Sequence, residues 1–207
     1  MRALAAWRVG WSDAPLAFVP RAYCSWQHRF DDPRREYRTI YAARAVATCL
    51  LEVLQDFRPD TRMLAEYAEL FGGAPVEPGA VPASYLAQTC LVPARLQGEG
   101  ELANVDRLEL RAAFERSASR LLVAQGMAHF DISQVRSRDR VISRAFSRFA
   151  HEAGAAGVRF RSNLDDRRCY ALFEGRAELV ARGTAEPLTA HPALPPVAAQ
   201  LNLTLPG

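Results

Sequence analysis

The sequence contains no lysine, so all 26 of its Lys and Arg positions are arginines. Coding bias in a GC-rich genome explains this absence, because it affects every segment of the chain alike. As a physical result, every positively charged side chain other than histidine ends in a planar, weakly hydrated guanidinium group, whose geometry suits phosphate oxygens. The net charge is only +3, with 23 acidic residues interspersed, so composition alone predicts no strong nucleic-acid-binding field.

Long apolar runs, metal-ligand clusters and disulfide spacings are missing as well. No window approaches the roughly 18 uninterrupted apolar residues that a bilayer-spanning helix needs, and Arg8 interrupts the apolar N-terminus too early for a signal peptide. The four cysteines form no CxxC pair and have no neighbouring histidine pair, a pattern that favours buried, reduced thiols over a zinc or disulfide framework. These features predict a cytoplasmic protein with no membrane association and no metal site.

The 207 residues, of which 49% are hydrophobic and 24% charged, can bury a substantial core. The chain has no internal repeat and no long linker. We therefore predict an α+β fold in which a single domain, residues 1–184, has a bent or split mixed β-sheet flanked by helices. The Pro- and Ala-rich tail, residues 185–207, is expected to be weakly ordered at best.

Hydrophobic periodicity and breaker residues predict the individual elements. Asp60 and Asp106 are expected to be N-caps, and Pro93 is expected at a sheet edge or bend. A loop is expected over 74–84. Strands are predicted over 3–9, 37–43, 85–97, 157–162 and 167–175, and helices over 45–57, 61–71 (ending at Gly72-Gly73), 106–120 and 137–154.

The predicted helix over 137–154 is amphipathic and rich in arginine. Its arginines either form a phosphate-friendly rim or belong to a solvated face, and the pattern leaves both interpretations open. Its apolar face is expected to contain Val141, Ala145, Phe146, Phe149 and Ala150.

A carboxylate, Glu52, interrupts the most apolar helix, within VATCLLEVL. The bland interpretation is a polar seam, because Ala45, Thr48, Glu52 and Gln55 fall roughly on one stripe of the helix. The alternative is a functional carboxylate that the apolar neighbours anchor to the core. The pattern alone does not decide between them.

Four further polar residues stand at positions where an ordinary core would have apolar residues. Arg8 lies in an apolar strand, and its bland interpretation is the solvent face of an edge strand. Arg29 precedes FDDP and could form a surface ion pair with either of the two aspartates there. Tyr41 ends a strand and could be half-buried with its hydroxyl at the surface. Ser162 ends the strand GVRFRS and could simply begin a turn.

Taken together, these residues resemble the RES-domain family, toxins of toxin–antitoxin pairs named for arginine, glutamate and serine. The resemblance rests on WRVG, HRFDDP, IYAARAVATCLLEVL and GVRFRSNLDDRRCYALFE. It covers essentially the whole chain, although residues 60–135 match only in layout. One departure is Gln27-His28, where the family often has glycine.

The resemblance implies a fold similar to ADP-ribosyltransferases and a pocket for NAD, which would be a substrate rather than a cofactor. Carried over by position, Arg8, Arg29, Tyr41, Glu52 and Ser162 would line that pocket. Glu52, Tyr41, Arg29 and Ser162 would be catalytic. Arg8, Arg29, Tyr41 and Ser162 would bind NAD. The partner implied is an antitoxin of the Xre type, in an oligomeric toxin–antitoxin complex.

The residue types suit this chemistry. Nicotinamide leaves NAD as a neutral amide, so no general acid is needed, and one carboxylate such as Glu52 can stabilise the oxocarbenium-like charge. Tyr41 offers a flat face for the nicotinamide ring. Arg8 and Arg29 offer forks for the pyrophosphate. Ser162 would hydrogen-bond either Glu52 or the carboxamide.

The acceptor of the ADP-ribosyl group stays open. Water and inorganic phosphate as co-substrate give hydrolysis and phosphorolysis, whereas a protein side chain gives mono-ADP-ribosylation of a specific target. A different class of function is a non-catalytic, arginine-rich binding module. That alternative predicts DNA affinity with a steep salt dependence and indifference to Glu52→Gln.

Overall fold

The computed structural model describes residues 4–71 and 79–207, which form a mixed β-sheet flanked by helices. The strands are β1 (Leu4–Trp11), β2 (Thr39–Ala43), β3 (Gly79–Ala80), β4 (Thr89–Gly98), β5 (Leu102–Asn104), β6 (Gly157–Arg161), β7 (Arg168–Phe173), β8 (Ala177–Ala181), β9 (Glu186–Pro187) and β10 (Leu203–Thr204). The helices are α1 (Val46–Leu54), α2 (Thr61–Phe71), α3 (Ala83–Gln88), α4 (Leu108–Ser117), α5 (Ser119–Ala124), α6 (Ile132–Arg136), α7 (Val141–Glu152) and α8 (Leu194–Gln200).

The main sheet has the strand order β5-β6-β7-β2-β1-β4-β8, and β9 also pairs with β4. β5 and β6 are parallel and the other neighbours are antiparallel. β10 pairs with β3 in a separate parallel ribbon. The predicted mixed sheet flanked by helices is confirmed.

The sheet splits between its two central strands. β1 pairs with β4 over its whole length, and β2 pairs with β7 over its whole length. Between β1 and β2, however, the register within the described residues is a single pair, Trp7 with Ala43. Because antiparallel strands separate once pairing stops, a V-shaped opening follows on one side of that pair. The predicted split is confirmed at this point.

Alternation along the strands divides the core into two parts. In β7, Cys169, Ala171 and Phe173 point into a large core that also contains apolar residues of α1, α7 and α8. Tyr170 and Leu172 point into a smaller core on the opposite face. The sheet is therefore buried on both faces along β7.

The apolar helix forms as predicted. α1 begins after Ala45 and continues into a 3-10 turn over Gln55–Phe57, which ends before Pro59. Its buried residues pack against β1, β2 and α8. The hydroxyl of Thr48 donates to Oδ2 of Asp165 at 2.6 Å, so the helix is also held by the turn between β6 and β7.

The prediction of one strand over 85–97 was wrong in its first part. Residues 83–88 are helical, with Leu86 N donating to Pro82 O, and the strand begins at Thr89. A short apolar run does not distinguish the two structures. Pro93 lies between the part of β4 that pairs with β9 and the part that pairs with β8. A residue without an N–H is tolerated at such an interruption.

The predicted cap at Asp106 was wrong, and the predicted apolar face of α7 was wrong at one residue, Val141. The other four residues predicted for that face are buried or pack against the large core: Ala145, Phe146, Phe149 and Ala150. α4 begins at Leu108 without a side-chain cap, and Asp106 instead accepts from Nε of Arg161 at 3.1 Å. α7 begins only at Val141, which is 44% exposed. The buried positions of α7 are Ile142, Ser143, Phe146, Ser147 and Ala150. Asp60 does accept from the N–H of Arg62 at the start of α2, as predicted.

The tail after residue 184 is ordered, contrary to the prediction. α8 packs against α1, and Leu194, Val197 and Leu201 are buried in the large core. Pro195 and Pro196 stand in the first turn of α8, where a missing N–H costs no helical hydrogen bond. Composition alone therefore gave the wrong prediction for this segment.

The predicted end of α2 at Gly72-Gly73, and the predicted loop over 74–78, lie outside the described residues. Within the described part of the chain, no helix has the length and apolar character needed to cross a membrane.

Candidate functional site

A cavity of about 690 Å³ lies in the opening between β1 and β2. Both strands line it, together with α1 and parts of the segment before β2. Arg8, Arg29, Tyr41 and Glu52 all contribute to its wall. The structure therefore gathers four of the five predicted site residues. Ser162 lies outside this wall.

Arg8 bridges the split in the sheet. Its Nη1 donates to the carbonyl of Tyr41 at 2.6 Å, and its Nε donates to the carbonyl of Pro15 at 2.9 Å. Burial lowers the pKa of Arg8 from its ordinary value. Because β1 lies inside the sheet between β2 and β4, the edge-strand interpretation of Arg8 is wrong.

Gly10 allows the segment after β1 to fold back over the strand. A Cβ at this position would lie 2.2 Å from the carbonyl oxygen of Pro15, the same oxygen that accepts from Arg8. No side chain fits at that distance. The WRVG motif thus combines a bridging arginine with the glycine that admits its acceptor.

Tyr41 is held by hydrogen bonds at its hydroxyl. The hydroxyl accepts from Phe30 N at 3.0 Å and donates to Oδ1 of Asp31 at 3.1 Å. Burial and the charge of Asp31 raise its pKa well above the ordinary value, so Tyr41 remains a phenol at neutral pH. The expectation that its hydroxyl reaches the surface was wrong. The ring of His28 meets Tyr41 edge to face, 5.7 Å between centroids.

The two aspartates of HRFDDP do not form the surface ion pair expected for Arg29. Asp31 and Asp32 are both buried. Asp31 accepts from the N–H of His28 at 2.8 Å, and Asp32 accepts from the N–H of Glu36 at 2.7 Å. Through these hydrogen bonds to backbone N–H groups, the two carboxylates hold the segment that carries Arg29 in its fold. The same segment binds the hydroxyl of Tyr41.

Arg29 uses one nitrogen to reach two acceptors. Its Nη1 donates to the carbonyl of Val135 and to Oδ1 of Asn163, both at 3.1 Å. Its guanidinium carbon lies 6.0 Å from the ring centroid of Phe160. Burial, followed by the positive charge of Arg140, lowers the pKa of Arg29, and the charge of Glu52 opposes this effect.

Glu52 is half-buried on the side of α1 that faces the cavity. Oε2 accepts from Nε2 of Gln55 at 3.3 Å, and Oε1 has no hydrogen-bond partner among the described residues. Cys169 also lines the cavity. Burial is the main cause of the raised pKa of its thiol, and the charge of Glu52 is the second. The predicted polar seam is divided, because Thr48 turns to Asp165 while Glu52 and Gln55 face the cavity.

Ser162 is buried, and its hydroxyl oxygen accepts from Leu164 N at 3.0 Å. This is the geometry of a serine that begins a turn. The structure does not bring Ser162 into the wall shared by the other four predicted residues.

Sequence reasoning missed an aromatic part of the cavity wall, which Trp11, Phe57 and Tyr85 form. The ring of Tyr85 meets Trp11 edge to face at 6.2 Å and Phe57 at 4.9 Å between centroids. Burial raises the pKa of Tyr85 to about 12. The sequence signal was weak, since Tyr85 stands in a segment that was predicted as a strand.

Arg140 was also missed as an individual residue. It lines the cavity beside Arg29, although it stands just before α7 and far from Arg29 in the sequence. The arginine-rich composition of 137–154 suggested a phosphate-friendly rim, but it did not indicate which arginine would face the cavity. Among the described residues, no group of three or more His, Cys, Asp or Glu side chains is placed to hold a metal ion.

Comparison with known proteins gives one family match. A family model for the RES domain matches residues 5–194. The crystal structure of the M. tuberculosis MbcT–MbcA toxin–antitoxin complex aligns with a TM-score of 0.48 at 12% identity, covering 86% of this chain and 84% of that chain. No curated protein matches the sequence.

Proposed function

The chain belongs to the RES-domain family, and on this premise we propose that it is a toxin that cleaves the nicotinamide–ribose bond of NAD. The observation that carries the proposal is the single cavity that gathers Arg8, Arg29, Tyr41 and Glu52 at the split in the sheet. The volume of about 690 Å³ lies within the range of small-molecule sites.

Glu52 supplies the charge that the reaction requires. As the bond to nicotinamide breaks, positive charge develops on the ribose, and a nearby carboxylate lowers the energy of that state. Oε1 of Glu52 has no hydrogen-bond partner among the described residues, so it can accept from a ribose hydroxyl. The half-buried position strengthens both interactions, because fewer water molecules screen the charge.

Tyr41 orients the leaving group. Its hydroxyl is fixed by Phe30 and Asp31, so the ring is held in one place before substrate binds. Such a ring can pack against the nicotinamide and restrict rotation about the scissile bond. A raised pKa keeps the phenol neutral, which suits a packing role rather than proton transfer.

The acceptor is water or inorganic phosphate, which gives ADP-ribose or its phosphorylated form. An enzyme that drains NAD harms its own host, so we expect an inhibitory partner in the cytoplasm. The family resemblance implies an antitoxin of the Xre type and an oligomeric complex.

Expression in a bacterial host tests the proposal. Induction of the wild-type chain without an antitoxin should stop growth and lower cellular NAD, whereas Glu52→Gln should do neither at the same protein level. Glu99→Gln is the matched control, because Glu99 is exposed and outside the cavity. The proposal fails if NAD stays constant in wild-type cells, or if Glu52→Gln is as toxic as the wild type. Mass analysis of the ADP-ribosyl product then identifies the acceptor.

A further inference from the structure

The part of the cavity around Arg29 contains a second cation, Arg140. Both side chains are half-buried. Within the described ranges, neither guanidinium has a carboxylate at ion-pair distance, although many other arginines of the chain do. Two cations that share a cavity wall without a carboxylate bonded to either are suited to an anionic ligand.

Three consecutive backbone carbonyls, those of residues 135–137, hold this part of the site together. The first accepts from Nη1 of Arg29 at 3.1 Å, the second from Nδ2 of Asn163 at 2.7 Å and the third from Nη1 of Arg140 at 3.0 Å. Asn163 also accepts from Arg29. Both guanidiniums are therefore anchored to one short segment, and this anchoring places them near each other.

The remaining donors of both guanidiniums have no partner among the described residues. Arg29 and Arg140 each use only Nη1 in the contacts above, which leaves N–H groups for a ligand. Arg8 differs, because its Nε and Nη1 are committed to two backbone carbonyls across the split. The phosphate-gripping role expected of Arg8 and Arg29 thus fits Arg29 and Arg140 better.

The two like charges repel each other. Burial is the main cause of the lowered pKa of Arg29, and the positive charge of Arg140 is the second. Glu52 offsets only part of this repulsion, since its effect is the smaller one. A ligand with negative charge on adjacent oxygens would relieve the repulsion and accept from both forks.

We propose that Arg29 and Arg140 together bind the diphosphate of the dinucleotide, so that Arg140 selects a dinucleotide over a phosphate-free nicotinamide nucleoside. This inference rests on the proposed NAD-cleaving function. It assigns to the segment before α7 a role in substrate specificity.

The test compares the wild-type chain, Arg140→Gln and the control Arg138→Gln with two substrates, NAD and nicotinamide riboside. Arg138 is exposed, lies outside the cavity wall and stands two residues away. Removing one charge-assisted contact should raise KM for NAD by about ten- to a hundredfold. Turnover of nicotinamide riboside should stay unchanged in Arg140→Gln, and Arg138→Gln should match the wild type with both substrates.

Calorimetric binding of inorganic pyrophosphate provides a measurement that does not depend on turnover. The wild type should bind pyrophosphate, and Arg140→Gln should bind it more weakly by a similar factor while its melting temperature stays unchanged. If the wild type binds pyrophosphate in this way but releases no nicotinamide, the proposed function fails and the anion subsite stands.

Two results would overturn the subsite. Equal loss of turnover with NAD and with nicotinamide riboside would show that Arg140 acts on the reaction or the fold. An unchanged KM for NAD, with a loss only of the rate that added phosphate supports, would assign the two arginines to free phosphate instead.

Discussion

The hydroxyl of Tyr41 shows how single residues prepare the site. Phe30 N and Asp31 hold this hydroxyl, and the carboxylate of Asp31 also accepts from His28 N. Under the proposed function, Asp31 would be a positioning residue that acts on substrate through Tyr41. The resemblance carried by IYAARAVATCLLEVL names Tyr41 and Glu52 as site candidates, but the contact of Asp31 with Tyr41 depends on a buried turn that the sequence pattern did not show.

We predict that Asp31→Asn lowers kcat for NAD by about ten- to a hundredfold, because a less firmly held ring orients the nicotinamide poorly. The substitution also removes the charge of Asp31, which is second only to burial in raising the pKa of Tyr41, so the pKa of Tyr41 should fall. Steady-state kinetics and an absorbance titration of tyrosine check the two effects. Asp13→Asn, at an exposed position, is the control. Unchanged kcat in Asp31→Asn would remove the positioning role.

At the scale of elements, the predicted helix α1 and the predicted strands β1 and β2 supply much of the cavity wall, and β6 and β7 were also predicted. β5 was not predicted, because three residues give no period, and β8 and α6 were missed although they are as long as β6. That Arg29 and Arg140 are held close together could not be predicted either, because it depends on backbone carbonyls at the end of α6 and directly after it. Contacts of this kind exist only after the elements pack.

The contact of Thr48 with Asp165 gives a test at the element scale. Thr48→Val keeps the shape of the side chain but removes the hydroxyl that donates to Asp165, whose side chain is only 15% exposed. We expect the free energy of unfolding to fall by about 1–3 kcal/mol, the usual cost of leaving such an acceptor unsatisfied. Urea denaturation measures the change, and Thr184→Val at an exposed position is the control. Equal effects of the two variants would mean that this bond does not stabilise α1.

At the scale of the whole molecule, the C-terminal tail belongs to the core. Leu201 is 6% exposed within the large core, and α8 packs against the helix that carries Glu52. We predict that Leu201→Ala lowers the free energy of unfolding by about 2–5 kcal/mol. Leu70→Ala, at a position that is 76% exposed, should change it little. A tail that is weakly ordered would give two equally small effects in thermal or urea unfolding.

His151 makes the stability of the molecule depend on pH. Its ring stacks on Tyr37 at 3.9 Å between centroids, and burial, then the charges of Arg176 and Arg148, lower its pKa below 6.5. Asp32 and Glu152 oppose that shift. The unfolded chain therefore takes up a proton on His151 at higher pH than the folded chain does. The contribution of His151 to the free energy of unfolding is complete above pH about 6.5, and it is lost as the pH falls through the pKa of His151 in the folded chain.

Urea denaturation at several pH values checks this dependence. The wild type should lose more stability than His151→Gln as the pH falls below about 6.5. Parallel pH profiles of the two proteins would exclude His151 as the source.

Nicotinamide release by the purified chain, free of any antitoxin, shows whether the protein itself cleaves NAD. With NAD, in the presence and absence of inorganic phosphate, the wild type should release nicotinamide in step with the loss of NAD. Glu52→Gln should reduce the rate by at least about a hundredfold while keeping the wild-type melting temperature. No release by the wild type under either condition would show that the protein does not cleave NAD, and equal release by a folded Glu52→Gln variant would show that Glu52 is not catalytic.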